Sequence, residues 1–357
     1  MSTDPEMIAL LSDSARRYAA DRYNFLQRHA VLQEGRGYSE KAWQDYAELG
    51  WLALRLPESE GGLEADGAAI GAVMEVVGSH LLMEPVLASA IVCAGLLVRL
   101  ASAEQQARLL PALADGSLKL AFAAEALTLR DNRLNGVAAS VLHGDIADQL
   151  IVVARDGQGA QDAETLYLVD AGSPGVARQS YRLVDGRGAA MLRFTEAAAE
   201  RLGAGDVCAK TAVEAVCDEA AVALCAENLG IVKALLERTC EYLKVRQQFG
   251  KPIGVNQALQ HRAADMYLIR EETAALTKAA QRALELPAPE RARIVSGAKA
   301  YIAHAARRVA NEAIQMHGGV GVTEELDVSH YFRRLMVNAE LFGSRDRHFA
   351  RFVERSL

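Results

Sequence analysis

The sequence predicts a mainly α-helical protein with a central β domain, on three observations. Apolar residues recur at helical spacing up to about residue 117, as at Ile8, Leu11, Ala15 and Tyr18, or at Trp43, Tyr46 and Leu49. Short runs with β-branched residues then take over at 150–154 (LIVVA), 165–171 (TLYLVDA) and 189–194 (AAMLRF), divided by Gly, Asp and Asn clusters. Helical periodicity returns from Val207, with breaks at Pro252, Pro287 and Pro289.

These observations set three expected regions: a helical domain over 1–117, a small β-barrel or sandwich domain over 118–205, and a helical bundle over 206–357. Long helices without a second strand region imply antiparallel packing of the bundle. A chain of 357 residues also exceeds the ~250 at which one core stops growing. The α, β, α order has no βαβ alternation, and no Gly-x-Gly-x-x-Gly follows a strand, which excludes a Rossmann domain.

Composition narrows the functional classes. Hydrophobic residues make up 51% and charged residues 24%, an ordinary globular balance. Lys plus Arg number 39 against 46 for Asp plus Glu, a net charge of −7 without a long basic run, so nucleic acid is not an expected partner. The N-terminus is acidic and lacks the features of a signal peptide, so a cytoplasmic location is expected. The most apolar stretch, 81–101, is interrupted by Glu84 and Pro85 and falls short of the ~20 residues of a bilayer span; it reads as a buried helix. Five cysteines (Cys93, Cys208, Cys217, Cys225, Cys240) lack zinc or redox spacing and are expected to be buried thiols.

Two loops carry possible binding chemistry. In "VRQQFGKPIGVNQ" the Arg246 guanidinium could fork onto a diphosphate, Phe249 could stack on a base, and Gly250 allows close backbone approach. An ordinary helix-ending loop fits this stretch equally well. In "AIQMHGGVGVTEE" Gln315, His317 and the pair Gly318-Gly319 suit phosphate oxygens, although alone they read better as a glycine C-cap.

Taken together the two are more specific. A helix, "R-x-x-FG-x-x-I-x-x-x-Q", a long helical stretch and "Q-x-x-GG-x-G" resemble the C-terminal domain of the acyl-CoA dehydrogenases, flavoenzymes that desaturate acyl thioesters. "LGWLALRLPESEGGLEADG" and "YFRRLMVNAELFGS" are similar to two further family segments, so the resemblance covers nearly the whole chain. It implies an acyl-CoA dehydrogenase-like fold with a C-terminal four-helix bundle. It also implies an FAD shared between two subunits: the ring lies in one subunit's β domain, and the ADP part reaches the two loops of its neighbour.

The two halves of that site differ in this chain. The resemblance carries the ADP half over to Arg246, Gln247, Gln248, Phe249, Asn256, Gln257, Gln315, Met316, His317, Gly318 and Gly319. In the ring half, "AEALTLRD" replaces the family's "TEPxxGSD", with Ala124, Leu129 and Arg130 at the altered positions and only Glu125 and Asp131 kept. Ser140, Val141 and Leu142 stand where the family has the Trp-Ile-Thr that packs and hydrogen-bonds the ring.

The family's base, a Glu that takes the α-proton, aligns with Phe342, which cannot accept a proton. The alternative helix position holds Ala220, followed by Ala221 in place of a CoA-binding arginine. Glu219 lies about 100° away around the helix, and Glu227 about 10 Å further along it. Glu340 is a weak candidate that would require a rearranged loop, and all three carboxylates read as solvated helix-surface groups, with His317 a loop residue near phosphate.

The leading expectation is a non-catalytic subunit of a heteromeric acyl-CoA dehydrogenase, similar to the unequal-subunit enzymes that act on CoA thioesters of steroid side chains. A homologous catalytic subunit would bind the acyl-CoA and hold the flavin ring, and an electron-transfer flavoprotein would take the electrons. The alternatives are a conventional homo-oligomeric enzyme with Glu340 as a relocated base, and a non-enzymatic scaffold that kept the fold.

Overall fold

Several helices start where a side chain satisfies their free N–H groups. Asp66 accepts from Ala68 and Ala69 at 3.0 and 2.9 Å, Ser39 accepts from Ala42 at 3.2 Å, and Ser102 with Gln105 forms a reciprocal capping box. In the computed structural model, which describes residues 3–35, 37–156, 164–203 and 208–357, these caps open α4 (Gly67–Ser79), α3 (Glu40–Glu48) and α6 (Ala103–Ala114). Around them lie α1 (Pro5–Arg22), α2 (Phe25–Gln33), and a π-helix (Val86–Cys93) that runs into α5 (Ala94–Leu100). Strands β1 (Leu120–Arg130), β2 (Arg133–Leu142), β3 (Gln149–Asp156), β4 (Glu164–Asp170), β5 (Val176–Arg182), β6 (Gly188–Ala198) and β7 (Glu200–Arg201) follow. The chain ends in α7 (Ala209–Val245), a short hairpin of β8 (Gln247–Gln248) and β9 (Lys251–Pro252), α8 (Gln257–Ala283), α9 (Ala288–His317), α10 (Val328–Glu340) and α11 (Arg345–Glu354).

Two compact units result. The first joins Met1–Ala30 and Asp66–Leu82 to Ala221–Leu357, so the C-terminal bundle is completed by α1 and α4. Its tightest contact is between α4 and α7. A Cβ on Gly78 would stand 1.9 Å from the Glu227 carbonyl oxygen, and one on Gly230 would stand 1.9 Å from that of Glu75. Helix backbones this close leave no room for a side chain. Around α7, α8, α9 and α10 the buried core gathers Val232, Leu235, Met266, Val309 and Tyr331.

The second unit, Val31–Ala65 and Met83–Ala220, is built on one seven-stranded sheet in the order β5-β6-β2-β1-β3-β4-β7. β1 pairs parallel with β3, and the other pairings are antiparallel. The β1–β2 hairpin turns on Asp131 and Asn132 at φ 48° and 57°, a left-handed backbone that these two residue types tolerate. Edge strand β5 is almost wholly exposed and carries Arg178 and Arg182, charges that discourage edge pairing with another chain. The π-helix is buried throughout, and its Ser89 hydroxyl accepts the Leu120 N–H at 3.0 Å, which ties it to β1.

The strands expected at 150–154, 165–171 and 189–194 coincide with β3, β4 (which ends at Asp170) and β6, and the apolar 81–101 stretch is helical from Val86 to Leu100 and buried as far as Leu97, with Leu81–Pro85 outside the helix. The thiols need a correction: Cys93 and Cys225 are buried, but Cys208 is exposed and Cys217 and Cys240 are half-buried. Cys208 stands just ahead of α7, outside the helix packing that covers the other two. Among the described residues no helix is long and apolar enough to cross a membrane, and no cluster of His, Cys, Asp and Glu could hold a metal ion.

The α4–α7 crossing is directly testable. Gly230→Ala puts a methyl group against the Glu75 carbonyl and is expected to cost about 1–3 kcal/mol, the usual penalty for overpacking. The measurement is the urea unfolding midpoint, which should fall.

Candidate functional site

Helix α7 ends at Val245, and the Arg246 N–H still bonds the Tyr242 carbonyl at 2.9 Å. Gln248 then pairs with Lys251, leaving Phe249 and Gly250 as a two-residue turn with φ 54° and 77°. Asn-Gly is the favoured pair for such a turn. A phenylalanine held in the left-handed region costs roughly 1–2 kcal/mol, and Phe249 is 98% exposed, so no contact within the chain offsets that cost. The Arg246 guanidinium and the amides of Gln247, Gln248 and Gln257 are exposed and have no hydrogen-bond partner among the described residues. Asn256 gives its amide to the Ile253 carbonyl at 2.8 Å.

The second loop begins where α9 closes on Gly318, whose φ of 64° and ψ of −146° only glycine adopts readily. Gln315 is exposed, whereas Met316 and His317 are each 5% exposed and face the bundle interior. His317 is therefore the last residue of a helix and not a loop residue with a free ring. Its Nδ1 lies 2.7 Å from the Ala313 carbonyl, which can only accept, so Nδ1 carries the proton. Burial lowers its pKa and keeps the ring neutral. The ring stacks on Tyr242 with centroids 4.4 Å apart, and the Tyr242 hydroxyl donates to the His317 carbonyl at 3.3 Å. Tyr242 was not singled out from the sequence; its signal is the spacing, one helical turn ahead of Arg246.

Gly319 is the informative glycine. Its φ lies outside the left-handed region, and a Cβ built on it would meet nothing within 4 Å. No described residue requires a glycine there, and the backbone is open to a molecule outside the chain. Exposed guanidinium, carboxamides, an aromatic ring and open glycine backbone form a donor set that fits a diphosphate joined to a base.

In the sheet unit the positions expected to face a flavin ring do not fit one. Ala124 is exposed and offers no donor, while Glu125 accepts the Ala139 N–H at 3.2 Å. Leu129 turns into the sheet core, and Arg130 and Asp131 are exposed at the hairpin end. The Ser140 hydroxyl is engaged by the Tyr181 hydroxyl at 3.0 Å, Val141 is buried, and Leu142 is apolar and half-buried. Just beyond, Asp145 has a buried Oδ1 with no hydrogen-bond partner. Burial pushes its pKa up to about 6 against the pull of Arg178 and Arg182. Arg178 is spent on the Asp145 and Ala147 carbonyls, at 2.7 and 2.8 Å.

The candidate base positions are likewise committed elsewhere. Phe342 is half-buried at φ 56°, followed by Gly343 at φ 115°. His348 Nε2 lies 3.1 Å from the Phe342 carbonyl and Nδ1 lies 3.2 Å from the Ser296 hydroxyl, so Nε2 donates and Nδ1 accepts. Ala220 and Ala221 are fully buried. Glu219 and Glu227 are not the solvated surface carboxylates expected of them. Glu219 is 9% exposed and clamped between Arg55, at 3.0 Å, and Arg99. Glu227 is 0% exposed and paired with Arg334 at 2.9 Å. Their arginine partners lie far off in sequence, where helical spacing gives no sign of them. Glu340 is exposed at the end of α10.

A helical-bundle unit with loops after its first and third long helices, and a second unit built on a mixed seven-stranded sheet, are the parts of an acyl-CoA dehydrogenase fold. Family models agree: residues 5–117 match the acyl-CoA dehydrogenase N-terminal domain and 210–357 the C-terminal domain. The chain is 30% identical to the acyl-CoA dehydrogenase IpdE2 of Mycobacterium tuberculosis, covering 96% of this chain and 95% of that protein. It is 32% identical to FadE27 of the same organism, over 83% of this chain and 82% of that one. Among solved structures, the ChsE4-ChsE5 complex from Mycobacterium tuberculosis superimposes with a TM-score of 0.88 at 27% identity, covering 99% of this chain and 98% of that one. A variant of the Tcur3481-Tcur3483 steroid ACAD superimposes with a TM-score of 0.85 at 26% identity, covering 98% of each chain. The chain belongs to the acyl-CoA dehydrogenase family.

Two outcomes follow from the site. Gly319→Ala is expected to leave the melting temperature of the isolated chain unchanged, because its methyl group meets open space, and to weaken whatever binds over the loop. For Asp145 the folded state holds its proton more tightly than the unfolded state does. This stabilising contribution is complete below the usual carboxylate pKa and is lost as pH rises through about 6. Asp145→Asn stays neutral throughout, so its melting temperature should exceed that of the parent at pH 8, with the gap closing as pH falls towards 4.

Proposed function

We propose that this chain is the non-catalytic subunit of a heteromeric, FAD-dependent acyl-CoA dehydrogenase. It presents the ADP half of a flavin site to a catalytic subunit of the same fold. The observation that carries this reading is Phe249, a bulky side chain held in a left-handed backbone at the tip of a hairpin and 98% exposed. A strained, solvent-facing aromatic is a sign of function, and the described residues leave this one 98% exposed.

The remaining residues divide along the same line. Arg246, Gln247, Gln248, Gln257 and Gln315 keep unpaired donors for a diphosphate and its sugar, Asn256 shapes the hairpin exit, and Gly318 and Gly319 let the backbone approach. Met316 and His317 contribute from behind, by anchoring the glycine turn to the core. When bound, the flavin supplies a hydride acceptor for the desaturation of an acyl thioester. The α-proton needs a carboxylate base, and Phe342 with the paired Glu219 and Glu227 offers none, so the partner must supply it together with the acyl-CoA site. The similarity to a two-component complex and to a steroid ACAD supports a heteromeric partner and a steroid-derived acyl group. In this reading the electrons leave through an electron-transfer flavoprotein.

Expressed alone and dialysed, the chain should retain no FAD and desaturate no acyl-CoA. Purified with its dehydrogenase partner it should yield one FAD per pair of chains, and Glu340→Gln should leave turnover unchanged. Stoichiometric FAD on the chain alone, or loss of turnover in Glu340→Gln, would instead support a homo-oligomeric enzyme with a relocated base.

A further inference from the structure

The hairpin after α7 and the glycine turn after α9 are separated by a long stretch of sequence, yet both must present one surface to one ligand. Tyr242 and His317 connect them. Tyr242 accepts the Arg246 N–H on its carbonyl at 2.9 Å, and His317 immediately precedes Gly318. Their rings stack with an interplanar angle of 28°, and the Tyr242 hydroxyl reaches across to the His317 carbonyl at 3.3 Å. The His317 ring is in turn fixed by its Nδ1–H on Ala313 one turn back. Its rotation and tautomer are therefore set from within α9, and Tyr242 stacks against a fixed, neutral plate.

The contact borders the surface of the bundle. A groove of about 780 Å³ lies against it, lined by Tyr242, Val245 and His317 together with Arg238 and Asp327. Ile253 and Leu259 on one side and Ile314 and Met316 on the other reach the same core, and the stacked pair joins the two loops directly at the edge of the groove. We infer that Tyr242 and His317 form a positioning clasp that fixes the Arg246 hairpin relative to the Gly318-Gly319 turn and so pre-assembles the ADP-binding surface. The inference rests on the reading of these loops as an FAD-binding arm. It assigns His317 a role through its neighbours and not through contact with phosphate.

Pre-organisation lowers the cost of binding by ordering the loops beforehand. Loosening the clasp should therefore weaken cofactor retention without altering the chemistry. The test uses the full chain and its complex with the co-purifying dehydrogenase subunit. Tyr242→Leu removes ring and hydroxyl; Tyr242→Phe keeps the stack and serves as the milder variant should the first fold poorly. In hydrogen exchange read by mass spectrometry on the chain alone, Tyr242→Leu should speed exchange in both the 246–256 and the 318–323 segments, and Tyr242→Phe should do so less. In the complex, Tyr242→Leu should raise the FAD dissociation constant at least tenfold, while kcat per bound FAD and KM for acyl-CoA stay at parental values. The clasp is overturned if exchange rises only in 246–256, the segment next to the substitution, and not in 318–323, or if the parental complex and Tyr242→Leu hold FAD equally. A parental complex without FAD overturns the reading of the loops themselves, and the exchange measurement then still decides whether the two rings couple them.

Discussion

Glu227 and Arg334, both withdrawn from water, form the contact on which the helical unit depends. Their 2.9 Å pair is surrounded by polar groups that share its burial. Arg334 also donates to the Leu82 carbonyl at 2.9 Å, and Asn338 donates to Asn228 at 3.0 Å. Lys299 donates to the Asn338 carbonyl, one of the acceptors left open at the end of α10. Burial depresses the Lys299 pKa, which shows how far this network lies from solvent. Removing one member of such a pair leaves a charge stranded, at about 3–5 kcal/mol. The network therefore fixes α7 against α10 and, through them, the α7 exit that bears Arg246 and the turn that bears Phe342.

Two phenylalanines in left-handed backbone show what that rigidity is used for. The Phe342 carbonyl is held by His348, itself fixed on the Ser296 hydroxyl, so this turn is supported from within the chain. Phe249 is 98% exposed and has no such support among the described residues, which is what the proposed contact with a second molecule accounts for. The substitutions that empty the ring half, Ala124 and Leu142 among them, leave the sheet itself well packed around Leu129, Leu134 and Val141. The proposed loss of function at one half and retention at the other are thus both compatible with a stable fold.

Much of the architecture was legible because it rests on local periodicity: the long helices, their proline-marked starts and strands β3, β4 and β6 follow from apolar spacing alone. Strand β5 was not, because an exposed edge strand such as "VARQSYR" carries no apolar alternation. The loops were legible as motifs, and the exposure of Arg246 and Phe249 agrees with a binding arm. The inward turn of Met316 and His317 was not legible, since a polar, glycine-rich stretch gives no sign that a neighbouring tyrosine will cover it. The burial of Glu219 and Glu227 escaped for a similar reason: charge reads as surface until a distant arginine is found beside it.

The division of one cofactor between two chains is tested most directly by placing a photoreactive azide at either end of FAD in the reconstituted complex. With the azide on adenine, irradiation should attach the label to this chain, within 246–257 or 315–319. With the azide on the isoalloxazine ring, the label should appear on the partner alone. A ring label on this chain would contradict the division.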